Sequence, residues 1–160
     1  MRWSRVFGHG LLPALALAIA AGAGWLKWQD SSIREATQAR TESVRAATDG
    51  TIALLSYQPG TVARDLDAAR TRLSGSFLST YTQLVHDVVI PGAKQKQISA
   101  VATVPGAASV SATATHAVVL LFVSQTIVVG QEAPRSTASN VRLTLDKIDG
   151  RWLISQFDPI

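Results

Sequence analysis

Apolar and polar positions change rhythm several times along the chain. Val6 to Leu26 contain no Asp, Glu, Lys or Arg. A helix over those residues rises about 1.5 Å per residue and reaches about 31 Å, enough to cross a bilayer core. From Asp30 to Ser56 the apolar positions thin out and recur at helical spacing. Ile33, Ala36, Arg40, Val44, Ala47, Leu54 and Leu55 fall within about 60° of one line on a helical wheel. Arg34, Glu35, Gln38, Glu42, Arg45 and Asp49 fall on the far side. This stripe strengthens only toward Leu54, which predicts a stalk helix whose last turns enter a core.

Gln58-Pro59-Gly60 breaks that helix. Thr61 is placed to cap a second one, with Val62, Leu66, Ala69 and Leu73 on one face and Gly75 at its end. A third helix carries Phe77, Tyr81, Leu84 and Val88, flanked by Leu78 and Val85. It is expected to stop before Pro91-Gly92. Beyond Ala93, β-branched residues and alanine dominate. Strands are expected near 97–104, 117–129, 140–148 and 152–157. Pro105-Gly106 marks a turn or bulge, Thr113 to His116 a turn, and Gly130 to Ser136 a loop.

Asp149-Gly150 is the sharpest local signal, a two-residue type I′ hairpin turn. It sets Ile148 against Arg151, Lys147 against Trp152, Leu145 against Ile154 and Leu143 against Gln156. Val141, Leu143, Leu145 and Ile154 then share the face that meets the helices, and Lys147 lies over the Trp152 ring. Three helices followed by about four antiparallel strands make an α+β arrangement.

Charge locates the chain. The formal net charge is +4, with 15 Lys and Arg against 11 Asp and Glu. Arg2, Arg5 and Lys27 precede any acid, so the remainder is nearly neutral and nucleic acid is not an expected partner. Arginines before the apolar run and tryptophans at its edges (Trp3, then Trp25 and Trp28) predict a retained span with a cytoplasmic N-terminus. Ala18-Ile19-Ala20 and Ala21-Gly22-Ala23 have the small-x-small form of a cleavage site. Cleaved or retained, residues after Lys27 are expected outside the cytoplasm. The expected organisation is a cytoplasmic tail at 1–5, a transmembrane helix at 6–26, a stalk at 27–53 and a folded domain at 54–160.

The stretches LLSYQPG (54–60), SFLSTYTQLVHDVVIPGAKQKQI (76–98), AVVLLFVSQT (117–126) and VRLTLDKIDGRWLISQFDPI (141–160) resemble the Mce-associated membrane proteins of actinobacteria. These are companions of the mammalian-cell-entry lipid importers. The resemblance covers the whole chain and is most specific at 86–98 and 149–159. It implies a cone-shaped domain like nuclear transport factor 2, similar also to periplasmic scaffold subunits of type IV secretion. It implies importer components and membrane lipid as partners, and it brings no catalytic residues.

Candidate chemistry is thin. There is no cysteine, and three scattered histidines (His9, His86, His116) make no metal motif. No phosphate-binding glycine loop or serine elbow is present. His86-Asp87, with Tyr81 behind, is the best polar cluster. On a helix, however, His86 falls about 180° from Phe77, and neighbouring residues diverge by about 100°. His116 is expected in a solvated turn, Lys94 and Lys96 in a wet loop, and Asp158 at the chain end. No catalytic, cofactor-binding or metal residue is therefore assigned, and no cofactor is expected. The leading reading is a non-enzymatic scaffold. Its rivals are a lipid carrier using the cone cavity and, behind it, a cone-fold enzyme.

One pattern asks for a partner. In the strand at 117–129 both faces are apolar, with Val118, Leu120 and Phe122 alternating with Val119, Leu121 and Val123. A sheet covered on one side by helices shows one polar face. A partner chain, a second copy, or the 105–115 segment folded back is expected over the second apolar face, the one bearing Val119, Leu121 and Val123.

Overall fold

The structure is a computed structural model that describes residues 34–160. The expected tail, the membrane span at 6–26 and the start of the stalk lie outside the described residues. Among the described residues no helix is long and apolar enough to cross a membrane.

Helix α1 runs through 34–55. Its buried stripe is Ala39, Ser43, Ala47, Thr51 and Leu54. These are mostly small side chains, and a hydrophobicity count passes over them. Small residues at every fourth position let the helix axis lie close to the sheet. Gly50 marks the closest approach, since a Cβ there would stand 2.7 Å from Cδ1 of Ile154. The expected stalk at 27–53 is thus corrected over its second half. The compact unit spans Thr37–Ile160 rather than 54–160.

Helix α2 (Val62–Arg70) buries Val62, Leu66 and Ala69, as its spacing predicts. Thr61 stands at its N-cap, but its hydroxyl donates to the Asp65 carboxylate instead of accepting a helix N–H. Helix α3 (Gly75–Leu84) buries Tyr81, and Val85 just beyond it is also in the core. Leu84 and Val88, expected on the core face, are 52% and 59% exposed. The apolar line runs instead through Phe77, Tyr81 and Val85, rotated by one residue.

The helix also continues past its expected stop. Val85–Val89 form a π-turn in which the Ile90 N–H donates to Val85 O. Helix α4 (Ile90–Lys96) then carries Pro91 in its first turn. Proline inside an α-helix lacks a donor and crowds the carbonyl four residues back. A wide turn just before it relieves that conflict, so Pro91-Gly92 does not end the helix. Gln97 ends it, at φ 52°, in the left-handed region.

The sheet has the order β1-β2-β3-β4, antiparallel throughout. Strand β1 (Ile98–Ala112) crosses Pro105 by a bulge between Thr103 and Gly106. The 105–115 segment therefore does not fold back. Its first part lengthens β1 and pairs with the start of β2 (His116–Val129). Strand β3 begins at Arg135 and runs to Ile148, longer than expected. Strand β4 is Arg151–Pro159.

The β3–β4 turn is as expected. Asp149 and Gly150 have φ 49° and 75°, and Ile148, Lys147 and Leu145 face Arg151, Trp152 and Ile154. One correction follows. A register shift after Leu145 places Thr144 opposite Gln156 and Leu143 opposite Phe157, not Gln156. The shift carries Phe157 to the helices, where its ring stacks on Phe77 at 5.9 Å.

The core lies between helices and sheet. Leu66, Val119, Leu121, Val141, Leu143, Leu145 and Ile154 are each at most 2% exposed. Tyr81 is almost as deep, and its hydroxyl donates to Leu54 O at 3.1 Å. Burial, with the Tyr57 ring nearby, pushes its phenol well above the ordinary value.

Candidate functional site

The structure brings few of the candidate polar residues together. His86 and Asp87 sit on the π-turn, both exposed, while Tyr81 points into the core. Lys94 and Lys96 lie on the last turn of α4, not in a loop, and both are exposed. Asp158 is exposed on β4 opposite Arg142. Among the described residues no three histidine or acidic side chains gather as metal ligands.

His116 is the exception. It begins β2 and faces Asp146 across the sheet, with Nδ1 2.8 Å from Oδ1. The Ser155 hydroxyl and then the His116 ring hold the Asp146 carboxyl below its ordinary value. The pair is half-exposed, and Thr113 clamps the His116 backbone from the turn. The pair latches the start of β2 to β3. The cross-strand register carries this pairing, and nothing in the local sequence around His116 signals it.

A second polar cluster was equally hidden. Glu42 of α1 accepts from Lys147 Nζ at 2.8 Å and from Trp152 Nε1 at 3.1 Å. Lys147 lies 5.4 Å from the centre of the Trp152 ring, as the hairpin register predicts. Lys147, Gln38 and Trp152 together lower the Glu42 carboxyl to about 2. The cluster ties α1 to the hairpin over a sequence separation that no local pattern spans.

The outer face of the sheet is the distinctive surface. Val119, Leu121 and Val123, expected on the second face, belong instead to the core that meets the helices, so the extra apolar face is the one bearing Val118, Leu120 and Phe122. Phe122 is 59% exposed and lies against Gly106 of β1, where a Cβ would come within 3.1 Å of the ring. Val101, paired with Thr126, extends the same face and is 50% exposed. No Asp, Glu, Lys or Arg occurs between Ile98 and Gln131, so β1 and β2 bring no formal charge to this face. Arg142, opposite Leu120 on β3, stands at its border.

The helices leave a different opening on the other side. A half-open cleft of about 660 Å³ runs between α1, α2 and the start of β4. Ala46, Ala53 and Ala68 line it together with Trp152, Arg72 and Arg151.

No family model matches the chain. Over 160 residues it is 70% identical to the outer membrane protein Rv1973 of Mycobacterium tuberculosis, covering all of both chains. The chain belongs to that family. The family is membrane-associated, by the name its relative carries. The fold has distant likenesses among solved structures. An IcmL-like type IV secretion system protein of Legionella pneumophila matches with a TM-score of 0.64 at 12% identity, over 76% of this chain and 93% of that one. The VirB8 protein of Agrobacterium tumefaciens matches with a TM-score of 0.58 at 11% identity, over 72% and 88%. At such identities the likeness is one of fold. The chain shares with these proteins its fold, helices packed on a four-stranded antiparallel sheet.

Proposed function

We propose that this protein is a non-enzymatic, single-pass accessory protein that scaffolds an Mce-type lipid-import complex in the cell envelope. The span at 6–26 anchors it, the N-terminus is cytoplasmic and the folded domain is extracytoplasmic. The resemblance of the 86–98 and 149–159 segments supports the importer assignment. The fold supports the scaffold role, because its structural neighbours include secretion-system proteins. The observation that carries the reading is the outer sheet face. An apolar surface around Phe122 and Val101, free of formal charge on β1 and β2, suits a protein partner better than water.

Carriage of lipid inside the cone is the weaker reading. The space between the helices and the sheet is filled by Leu66, Leu121, Leu143 and Ile154, each packed to 1% exposure or less. A ligand there would have to displace a close-packed core. Catalysis is weaker still, since His86 and Asp87 stand apart in solvent.

The test is capture from native membranes followed by mass spectrometry, beside lipid uptake. Phe122→Asp should release importer components and stop uptake, because association would bury an unpaired charge at a cost of several kcal/mol. His86→Ala, Asp87→Asn and His116→Ala should leave uptake intact. Loss of uptake in a folded, inserted His86→Ala or Asp87→Asn protein would overturn the scaffold reading. So would unchanged capture of importer components by Phe122→Asp.

A further inference from the structure

We infer that the cleft between α1, α2 and β4 binds the phosphate-bearing end of an anionic lipid. This site is separate from the outer sheet face and does not depend on the scaffold role. Its volume, about 660 Å³, falls within the roughly 300–1,000 Å³ of small-molecule sites. Ala46, Ala53 and Ala68 leave the space, and the Trp152 ring forms one wall. Trp152 is held in place by its Nε1–H bond to Glu42.

Two arginines, Arg72 and Arg151, line this opening. Arg151 donates from Nη2 to Thr71 O at 3.1 Å, which fixes its head beside the cleft and leaves other donors of the fork unused. The Arg72 backbone is fixed in turn, since its carbonyl accepts the Ile154 N–H at 2.9 Å. Among the described residues neither arginine is ion-paired, whereas Arg64 and Arg70 of the neighbouring helix pair with Asp65 and Asp67. Asp65 is the one acid in the lining, and Thr61 and Arg64 already engage it. The cleft therefore presents net positive charge over a small apolar floor, and two arginine forks match a phosphate.

The geometry favours a lipid headgroup over an acidic peptide. A peptide adding to the sheet needs free main-chain partners on β4. At this point they are taken, because Ile154 already bonds to Arg72 and to Ser74. The helix walls offer alanine rather than pockets for side-chain anchors.

Native mass spectrometry of the full chain in detergent tests the assignment, with phosphatidylglycerol, phosphatidylcholine, inorganic phosphate and a hexaglutamate peptide as probes. Phosphatidylglycerol should be retained, and the Arg72→Gln/Arg151→Gln variant should retain it at least about tenfold less. Ala68→Phe, which fills the cleft from an exposed position, should lower retention with both arginines in place. Equal retention by wild type and the double variant would overturn the site, since binding would then lie elsewhere on the chain. Equal retention of phosphatidylcholine would overturn the anionic preference. Arginine-dependent binding of inorganic phosphate that displaces the lipid, or of hexaglutamate that does so, would replace the lipid by a free anion or a peptide.

Discussion

On the inner face of β2, Val119, Leu121 and Val123 are at most 3% exposed, while one residue away on the outer face Phe122 is 59% exposed. Both faces are built from the same apolar residue types. The difference lies in what stands opposite. The inner face meets α1, α2 and α3 and closes into a core, whereas no helix of the described residues covers Phe122. An apolar side chain on a strand reports that something belongs against it. The rest of the chain decides whether that is its own helix or another molecule.

The contrast is easiest to break with charge. Leu121→Asp would place a carboxylate in the packed core, at a cost of about 4–5 kcal/mol or more, a large share of a domain's total stability. No cooperative melting transition should remain at physiological temperature. Phe122→Asp, on the adjacent residue, should shift stability by only about 0.5 kcal/mol while removing partner capture. Comparable melting losses in the two variants would show that the outer face is covered within the chain itself.

A smaller effect is expected at the hairpin that decides which residues face inward. A one-residue slip would turn Leu143 and Leu145 to the outside. Gly150 holds φ 75°, and Gly150→Val should cost on the order of 1–2 kcal/mol by left-handed strain. The readout is the melting temperature, and an unchanged value would mean that core packing alone fixes the register.

The smallest effect sharpens how α1 is kept on the inner side. The Glu42 carboxyl is lowered from 4.5 to about 2, chiefly by Lys147. A carboxyl depressed on folding stabilises the native state above its unfolded value and loses that contribution as pH falls through the folded one. Wild type should therefore melt above Glu42→Gln near neutral pH. That advantage should shrink below pH 4.5 and disappear near pH 2. A difference independent of pH would assign the effect to packing rather than charge.

Much of this architecture was legible from residues. The Asp149-Gly150 turn gave the hairpin and three of the four pairings read from it, and the α2 stripe gave its buried face. These signals are local, with a turn or a period carrying them. The failures share a cause as well. The α1 stripe of Ala39, Ser43 and Ala47 is small rather than greasy, so its packing shows only when Ile154 is seen against Gly50. The shift after Leu145 depends on the helices wanting Phe157. The Glu42–Lys147–Trp152 and His116–Asp146 clusters join residues far apart in sequence. The apolar outer face was visible as an excess of hydrophobic positions, but the alternate set expected there, Val119, Leu121 and Val123, is the buried one.

The π-turn at Val85–Val89 can also be regarded as a problem of phase. Adding one residue to a regular helix rotates everything beyond it by about 100°. A π-turn absorbs the addition locally, so Tyr81 before it and Ala93 after it both remain in the core. Pro91 is tolerated by the same loosened turn. The additional residue and the proline thus compensate each other. Restoring a regular helix without replacing Pro91 would leave the proline inside an α-helix. Replacing Pro91 would remove the conflict that the wide turn relieves. The two are best treated as one coupled feature of the chain.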